Sequence, residues 1–357
     1  MTEWKKCKEV LCIRGDNMGD VVMSGPAIKA LQIYSTCKIT LLTSCMGAEA
    51  AALNPYISKV IVADLPWLKH PETEHSEAMF RLMHTLREAR YDGCVIFTVY
   101  SQNPLPAAMM AYLAGIPLRL SYCRENPYDL LTHWIPDPEP FDLIRHQVQR
   151  DLDMVAAIGA TLDNPDLFLS KPSLTVQSSL KMKARLIKLD LGDPYMILHP
   201  GVSEAKRMYP LERWIDCGKA LAERYKMTLV VTGSQSEIPL ADALIKGIGD
   251  RAVSIAGLLS LEELVGLIDG AEAVIAVNTG TAHLAAALKR PLVVLYAETN
   301  PQHVPWNCPH VVLPFSVDPH FQSKNKVIEF VNRQRYQRDV PLPGPPAVLA
   351  AVDKLLA

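Results

Sequence analysis

Two stretches of the chain carry residue types suited to holding a diphosphate. Residues 195–210 read YMILHPGVSEAKRMYP. A short apolar strand ends at His199 and Pro200-Gly201 break it. Ser203, Lys206 and Arg207 then follow in a polar loop before a helix expected over 211–225. Glycine lets a backbone come close to a ligand, and a cation offsets phosphate charge that would otherwise repel. Residues 272–296 read EAVIAVNTGTAHLAAALKRPLVVLY. The continuous apolar run 274–277 predicts a strand covered on both faces. Asn278-Thr279-Gly280-Thr281 break that run, and Thr281 is expected to cap a helix starting at Ala282. The free N–H groups of that helix would face an anion above the turn. The same segment also fits an ordinary βαβ connection. Neither stretch is a P-loop, because the G-x-x-x-x-G-K-[ST] spacing is absent.

These loops need a scaffold, and the pattern predicts one. The first half alternates strands (9–13, 37–42, 60–63, 93–98) with helices (21–31, 77–90, 105–114). Such βαβα ordering predicts a mostly parallel sheet with helices on both faces. Residues 126–140, rich in Pro and Asp, read as an irregular loop, and 146–158 as a helix. Residues 159–172 are polar and read as a hinge. After a helix near 178–189, a second series follows: strands at 195–199, 228–232, 252–255 and 274–277, helices at 211–225, 239–248 and 261–269. Beyond Tyr296 the chain reads as loop-rich until a helix at 347–356. The division expected is 1–172 for one Rossmann-like domain and 173–340 for a second, with 341–357 a helix packing back across a domain.

Composition narrows the function. The chain has 357 residues, 49% hydrophobic and 21% charged, enough for two cored domains. A formal net charge of -2 argues against a dedicated nucleic-acid binder. No apolar run is long enough to span a membrane, and the N-terminus lacks the apolar stretch of a signal peptide. The eight cysteines show no C-x-x-C pair and no zinc spacing, which fits a reducing cytoplasm.

Three motifs in fixed order resemble glycosyltransferase family 9, the heptosyltransferase family. They are RGDNMGDVVMSGPAIKAL near the N-terminus, HPGVSEAKRMYPLERW in the middle, and GLLSLEELVGLIDGAEAVIAVNTGTAHLAAALKRPLVVLY near the C-terminus. The resemblance runs from about Val10 to Pro301 and implies an α/β GT-B architecture, two Rossmann-like domains facing across a cleft. It implies an ADP-sugar donor, usually ADP-L-glycero-D-manno-heptose, on the C-terminal domain. The N-terminal domain then receives the acceptor: a glycan, a lipid-linked glycan or a small molecule, in familiar cases the inner core of lipopolysaccharide. Such an enzyme works in the cytoplasm, at or near the inner membrane.

The resemblance also assigns residues. Asp20, with Gly19 beside it, matches the loop aspartate that serves as general base, taking the acceptor proton as that oxygen attacks the anomeric carbon. Locally, Asp20 reads equally as a helix N-cap, and Asp16 in the same loop is its rival. Lys206 matches the lysine that stabilises the departing diphosphate without an obligatory metal or cofactor. Gly201, Val202 and Ser203 are expected to line the same pocket, and Arg207 either assists or lies on the surface. Thr279 and Thr281 hydroxyls suit phosphate oxygens, Gly280 sits between them, and His283 falls at the motif histidine. Glu237 is placed for the ribose and Leu259 near the adenine. Asn278, where the family usually carries Asp, and Glu298 depart from the pattern and hint at a changed donor or a specialised acceptor. Lys324, Lys326, Arg333, Arg335 and Arg338 form a modest basic cluster, read as a solvated surface; the sharper alternative is contact with an anionic acceptor or membrane headgroups. The competing functions are a family member acting on a natural product, protein or other glycan, and a non-catalytic nucleotide-sugar binder.

Overall fold

A computed structural model describes residues 3–68, 76–298, 301–322, 325–335 and 339–357. Two compact units form, Met1–Leu169 and Ser170–Ala357. Unit 1 runs β1 (Glu9–Ile13), α1 (Met18–Ser35), β2 (Lys38–Thr43), α2 (Cys45–Ala52), β3 (Lys59–Val62), α3 (Ser76–Ala89), β4 (Gly93–Ile96), α4 (Leu105–Leu113), β5 (Leu118–Cys123), β6 (His133–Pro136) and α5 (Gln147–Ala156). Unit 2 runs α6 (Leu174–Leu186), β7 (Tyr195–His199), α7 (Leu211–Tyr225), β8 (Thr228–Val231), α8 (Ile238–Ile248), β9 (Ala252–Ser254), α9 (Leu261–Asp269), β10 (Ala273–Val277), α10 (Gly280–Ala287), β11 (Leu292–Ala297), β12 (His310–Phe315), α11 (Lys326–Arg335) and α12 (Pro345–Leu356).

Each unit is built on a six-stranded parallel sheet. The orders are β3-β2-β1-β4-β5-β6 and β12-β11-β10-β7-β8-β9. Numbered from its own first strand, each follows the 3-2-1-4-5-6 order of dinucleotide-binding folds. The direction of winding therefore reverses between β1 and β4 in unit 1 and between β7 and β10 in unit 2. Loops that leave neighbouring strands in opposite directions open a crevice there, which is where open α/β sheets bind ligands.

The central strands are buried on both faces, as their unbroken apolar runs require. β4 and β10 are buried along their whole length, and β1 and β7 along all but one residue. Helix α1 is buried almost all round, which is why VVMSGPAIKAL shows no amphipathic stripe. The cysteines Cys12, Cys94 and Cys217 pack inside as small apolar side chains.

Helix α2 and strand β5 were not expected from the sequence, and three further places depart from it. Residues 126–140 are not wholly irregular, since they hold edge strand β6, paired in parallel with β5. Proline at the end of an edge strand removes no needed ladder bond, so a Pro-rich composition hid a real strand. The turn before β6 is held by buried Arg119, whose guanidinium donates to the carbonyls of Leu130 (2.8 Å) and Asp129 (2.6 Å). The region after Tyr296 likewise contains edge strand β12, with Pro314 inside it, and helix α11. Third, α10 begins at Gly280, so Thr279 and not Thr281 occupies the N-cap position. Helix α12 packs on α7, β11 and β12 of its own unit. Among the described residues, no helix is long and apolar enough to cross a membrane.

Candidate functional site

In unit 1 the candidate residues converge on one buried arginine. Arg14 follows β1 directly, and its side chain is 0% exposed. Its Nε lies 3.1 Å from Asp16 Oδ2, and its Nη2 donates to Asp20 Oδ1 at 3.1 Å. A buried guanidinium needs counter-charge, and here a loop carboxylate and one in the first turn of α1 supply it. Asp20 also accepts the Asn17 backbone N–H through Oδ2 at 3.3 Å, which ties it to the first turn of α1. This corrects the expected Asp20 cap: Asn17 is the N-cap of α1, and Asp20, three residues on, reaches back to the cap's N–H. Gly19 is buried beside it.

Asp16 is held from three sides. Gln102, after β4, donates to its Oδ1, Arg14 faces its Oδ2, and Ser44 Oγ donates to its backbone oxygen at 2.6 Å. Desolvation drives its carboxyl up to about 6; the Arg14 charge and the Gln102 bond pull the other way. A third carboxylate, Asp151 on α5, is buried near Arg14 and accepts from Ser24 Oγ and Gln147 Nε2, each at 2.7 Å. A small pocket opens at this end of β1 and β4, lined by Asp16, Trp67, Leu68, Phe97, Gln102 and Asn103. Sequence reasoning passed over Arg14, Gln102, Gln147 and Asp151. The only local trace was a charged residue at the end of an apolar strand, R-G-D after VLCI.

In unit 2 the loop after β7 and the turn after β10 lie side by side at the winding reversal. Arg207 Nη1 donates to the Asn278 carbonyl at 3.1 Å, joining the two. Lys206 Nζ sits 2.8 Å from Glu204 Oε2, and Arg207 Nη2 is 3.8 Å from Glu204 Oε1. Glu204 therefore pairs with both cations of the loop, a feature the sequence analysis did not single out. These side chains are about one-fifth exposed, at 21–22%, so a ligand anion can reach them. Replacing Glu204 with Gln is expected to tighten ADP binding about two- to fivefold by removing a competing anion. Calorimetry checks this, and unchanged or weaker affinity would count against Lys206 and Arg207 as phosphate contacts.

His199, the last residue of β7, clasps the three loops of this end together. Its Nδ1 meets Thr232 Oγ1 at 2.9 Å and its Nε2 meets Thr281 Oγ1 at 3.0 Å. Burial pushes the imidazole below its ordinary value, opposed by the nearby Glu237 carboxylate. Thr281 is buried in the first turn of α10, its hydroxyl engaged by His199. This corrects the expected Thr281 cap: the residue pins the helix start to β7 instead. Thr279 precedes the helix with extended backbone, and Gly280 is its first residue. Asn278 is buried, and its Oδ1 accepts the Ala297 N–H at 3.3 Å. An aspartate could accept the same bond, so the exchange keeps the anchor on β11.

The remaining candidates line the same end of the sheet. Glu237 lies directly over Gly201: a Cβ built on Gly201 would stand 2.0 Å from Glu237 Oε1. Any side chain there would displace the carboxylate. Glu237 Oε2 also accepts the Ser234 N–H at 2.6 Å. Ser203 is exposed, whereas Val202 packs its side chain against the core and leaves its backbone to the loop. Leu259 is half-buried between β9 and α9. His283 is buried on α10, edge-on to His303 at 6.3 Å between ring centroids. Glu298, at the end of β11, accepts from Ser316 Oγ at 3.3 Å, and burial raises its carboxyl. Of the basic cluster, Lys326, Arg333 and Arg335 fall on α11, while Lys324 and Arg338 lie outside the described residues.

Residues 79–327 match the model of glycosyltransferase family 9 (heptosyltransferase). The chain belongs to glycosyltransferase family 9. Lipooligosaccharide heptosyltransferase 2 of Haemophilus influenzae is 28% identical, over 83% of this chain and 85% of that protein. Two solved structures share the fold. A family 9 glycosyl transferase from Veillonella parvula superposes with a TM-score of 0.78 at 16% identity, covering 98% of this chain and 97% of the other. The E. coli ADP-heptose lipopolysaccharide heptosyltransferase II does so at 0.71 and 21%, covering 98% of each. The family 9 chain thus has two Rossmann-like domains of the GT-B class, in agreement with the strand orders above.

Proposed function

We propose that this protein is an inverting glycosyltransferase that moves a heptose or a related sugar from an ADP-linked donor to an acceptor hydroxyl. The acceptor fits a core glycan of the lipopolysaccharide type, as the names of the relatives suggest. The observation that carries the reading is the composition of the winding reversal in unit 2. There Lys206 and Arg207 bring cations to the loop after β7, α10 begins at Gly280, and the Glu237 carboxylate packs against Gly201. Two loop cations and a helix start suit a diphosphate once the cations exchange Glu204 for the ligand. Glu237, beside Gly201 and Gly233, is placed for ribose hydroxyls.

In this reading unit 2 holds the donor and unit 1 the acceptor. Asp20 takes the proton of the attacking hydroxyl, the new C–O bond forms as the bond to the diphosphate breaks, and Lys206 receives the charge left on ADP. A calorimetric panel of ADP-, UDP- and GDP-sugars tests the donor directly. ADP-heptose is expected to bind at least tenfold more tightly than the UDP and GDP counterparts, about 1.4 kcal/mol. Equal affinity for all three, or none for any, would remove the reading.

A further inference from the structure

The reaction needs one base, yet unit 1 sets two carboxylates, Asp16 of the loop after β1 and Asp20 of the first turn of α1, on a single buried guanidinium. We propose that Asp16 is a positioning residue that sets the basicity of Asp20 through the arginine they share. This rests on the reading of Asp20 as the base.

The geometry is specific. Arg14 presents Nε to Asp16 and Nη2 to Asp20, each at 3.1 Å, from a side chain with no exposure. While Asp16 is ionised it holds part of the arginine's charge and adds its own negative charge beside Asp20. Both effects raise the proton affinity of Asp20. When Asp16 takes up a proton, Arg14 is left to Asp20, which becomes a weaker base. The two sites therefore titrate as a coupled pair.

Groups on several packed elements act on the pair, in both directions. Gln102, after β4, donates to Asp16. Asp151, on α5, faces Arg14 as a third anion, itself held by Ser24 of α1 and Gln147 of α5. Asp20 is held in addition by the Asn17 N–H. Asp16, driven up to about 6 by burial, is the member that changes charge near neutrality. Its side chain lines the small pocket beside Trp67 and Gln102 and is 15% exposed, so a proton can reach it.

The test is the pH profile of kcat/KM with ADP-heptose in three proteins, beside carboxyl carbon NMR titrations of the aspartates. The wild-type rate is expected to fall about three- to tenfold as pH drops through about 6, the penalty for a base weakened by roughly a pH unit. Asp16→Asn removes the step: its rate stays flat through that range, at the lower level. Gln102→Leu, which withdraws the bond that favours ionised Asp16, moves the step upward in pH. Opposite responses of this kind do not arise from loosened packing. In the NMR titration, Asp20 in Asp16→Asn is expected to ionise about one pH unit lower than in wild type. ADP affinity should stay within about twofold in both variants, because the donor residues lie in unit 2. A step that persists in Asp16→Asn, or an Asp20 midpoint that does not move, overturns the proposal. The NMR arm reads the coupling without turnover, so it separates this proposal from the base assignment, which Asp20→Asn tests independently.

Discussion

Asp20→Asn is expected to lose about a hundred- to ten-thousandfold in sugar transfer, the usual worth of a positioned general base, while ADP affinity stays within twofold. Asparagine is the informative substitution. Its amide oxygen can still accept the Asn17 N–H that Asp20 holds at 3.3 Å, so the start of α1 keeps its tie. Alanine would remove that tie together with the carboxylate and confound the two roles. The cost that remains is electrostatic. Arg14 loses one of the carboxylates around it but keeps Asp16 at 3.1 Å and Asp151 nearby, so the buried cation is not abandoned. The unfolding midpoint should therefore move little. Product formation and ADP release, with calorimetric ADP binding as control, check the prediction. Turnover within tenfold of wild type would take Asp20 out of the mechanism and direct attention to Asp16.

Lys206→Ala should raise the dissociation constant for ADP about ten- to a hundredfold. A charge-assisted hydrogen bond contributes roughly 1.5–3 kcal/mol, and each 1.4 kcal/mol is a factor of ten. The lysine must first leave Glu204, at 2.8 Å. A diphosphate carries more negative charge than one carboxylate, so it outcompetes Glu204 for the ammonium group. Lys206→Arg should recover part of the loss, since the charge stays while the geometry changes. The effect should shrink as salt rises, because the site is open enough for ions to screen it. Donor affinity unchanged in Lys206→Ala at low salt would place the diphosphate elsewhere and leave Lys206 as a solvated loop residue beside Glu204.

Much of the molecule was legible in the sequence. The strands at 9–13 and 195–199 and the helices at 211–225 and 261–269 were expected where they lie. Their signals are local: apolar runs for buried strands, helical spacing for packed helices, and Gly or Pro where they stop. The alternation of the two also dictated parallel sheets, since a parallel pair needs a crossover helix. Strands β5, β6 and β12 were missed; for the edge strands β6 and β12 the reason is that one side makes no ladder bonds and tolerates proline.

The sequence by itself also fixed which residue types stand in the loops after β1, β7 and β10, because a motif is a local string. What only tertiary structure decided is how those loops share their charges. Arg14 meets Asp16 and Asp20 within a few residues, but Gln102 reaches Asp16 from 86 residues away and Ser24 meets Asp151 across 127. Thr281, read as a cap from its neighbours, is claimed by His199 at a separation of 82 residues. A buried polar group takes whatever partner the fold brings within reach, since leaving it unpaired costs more than any local preference supplies. Sheet order chose those partners.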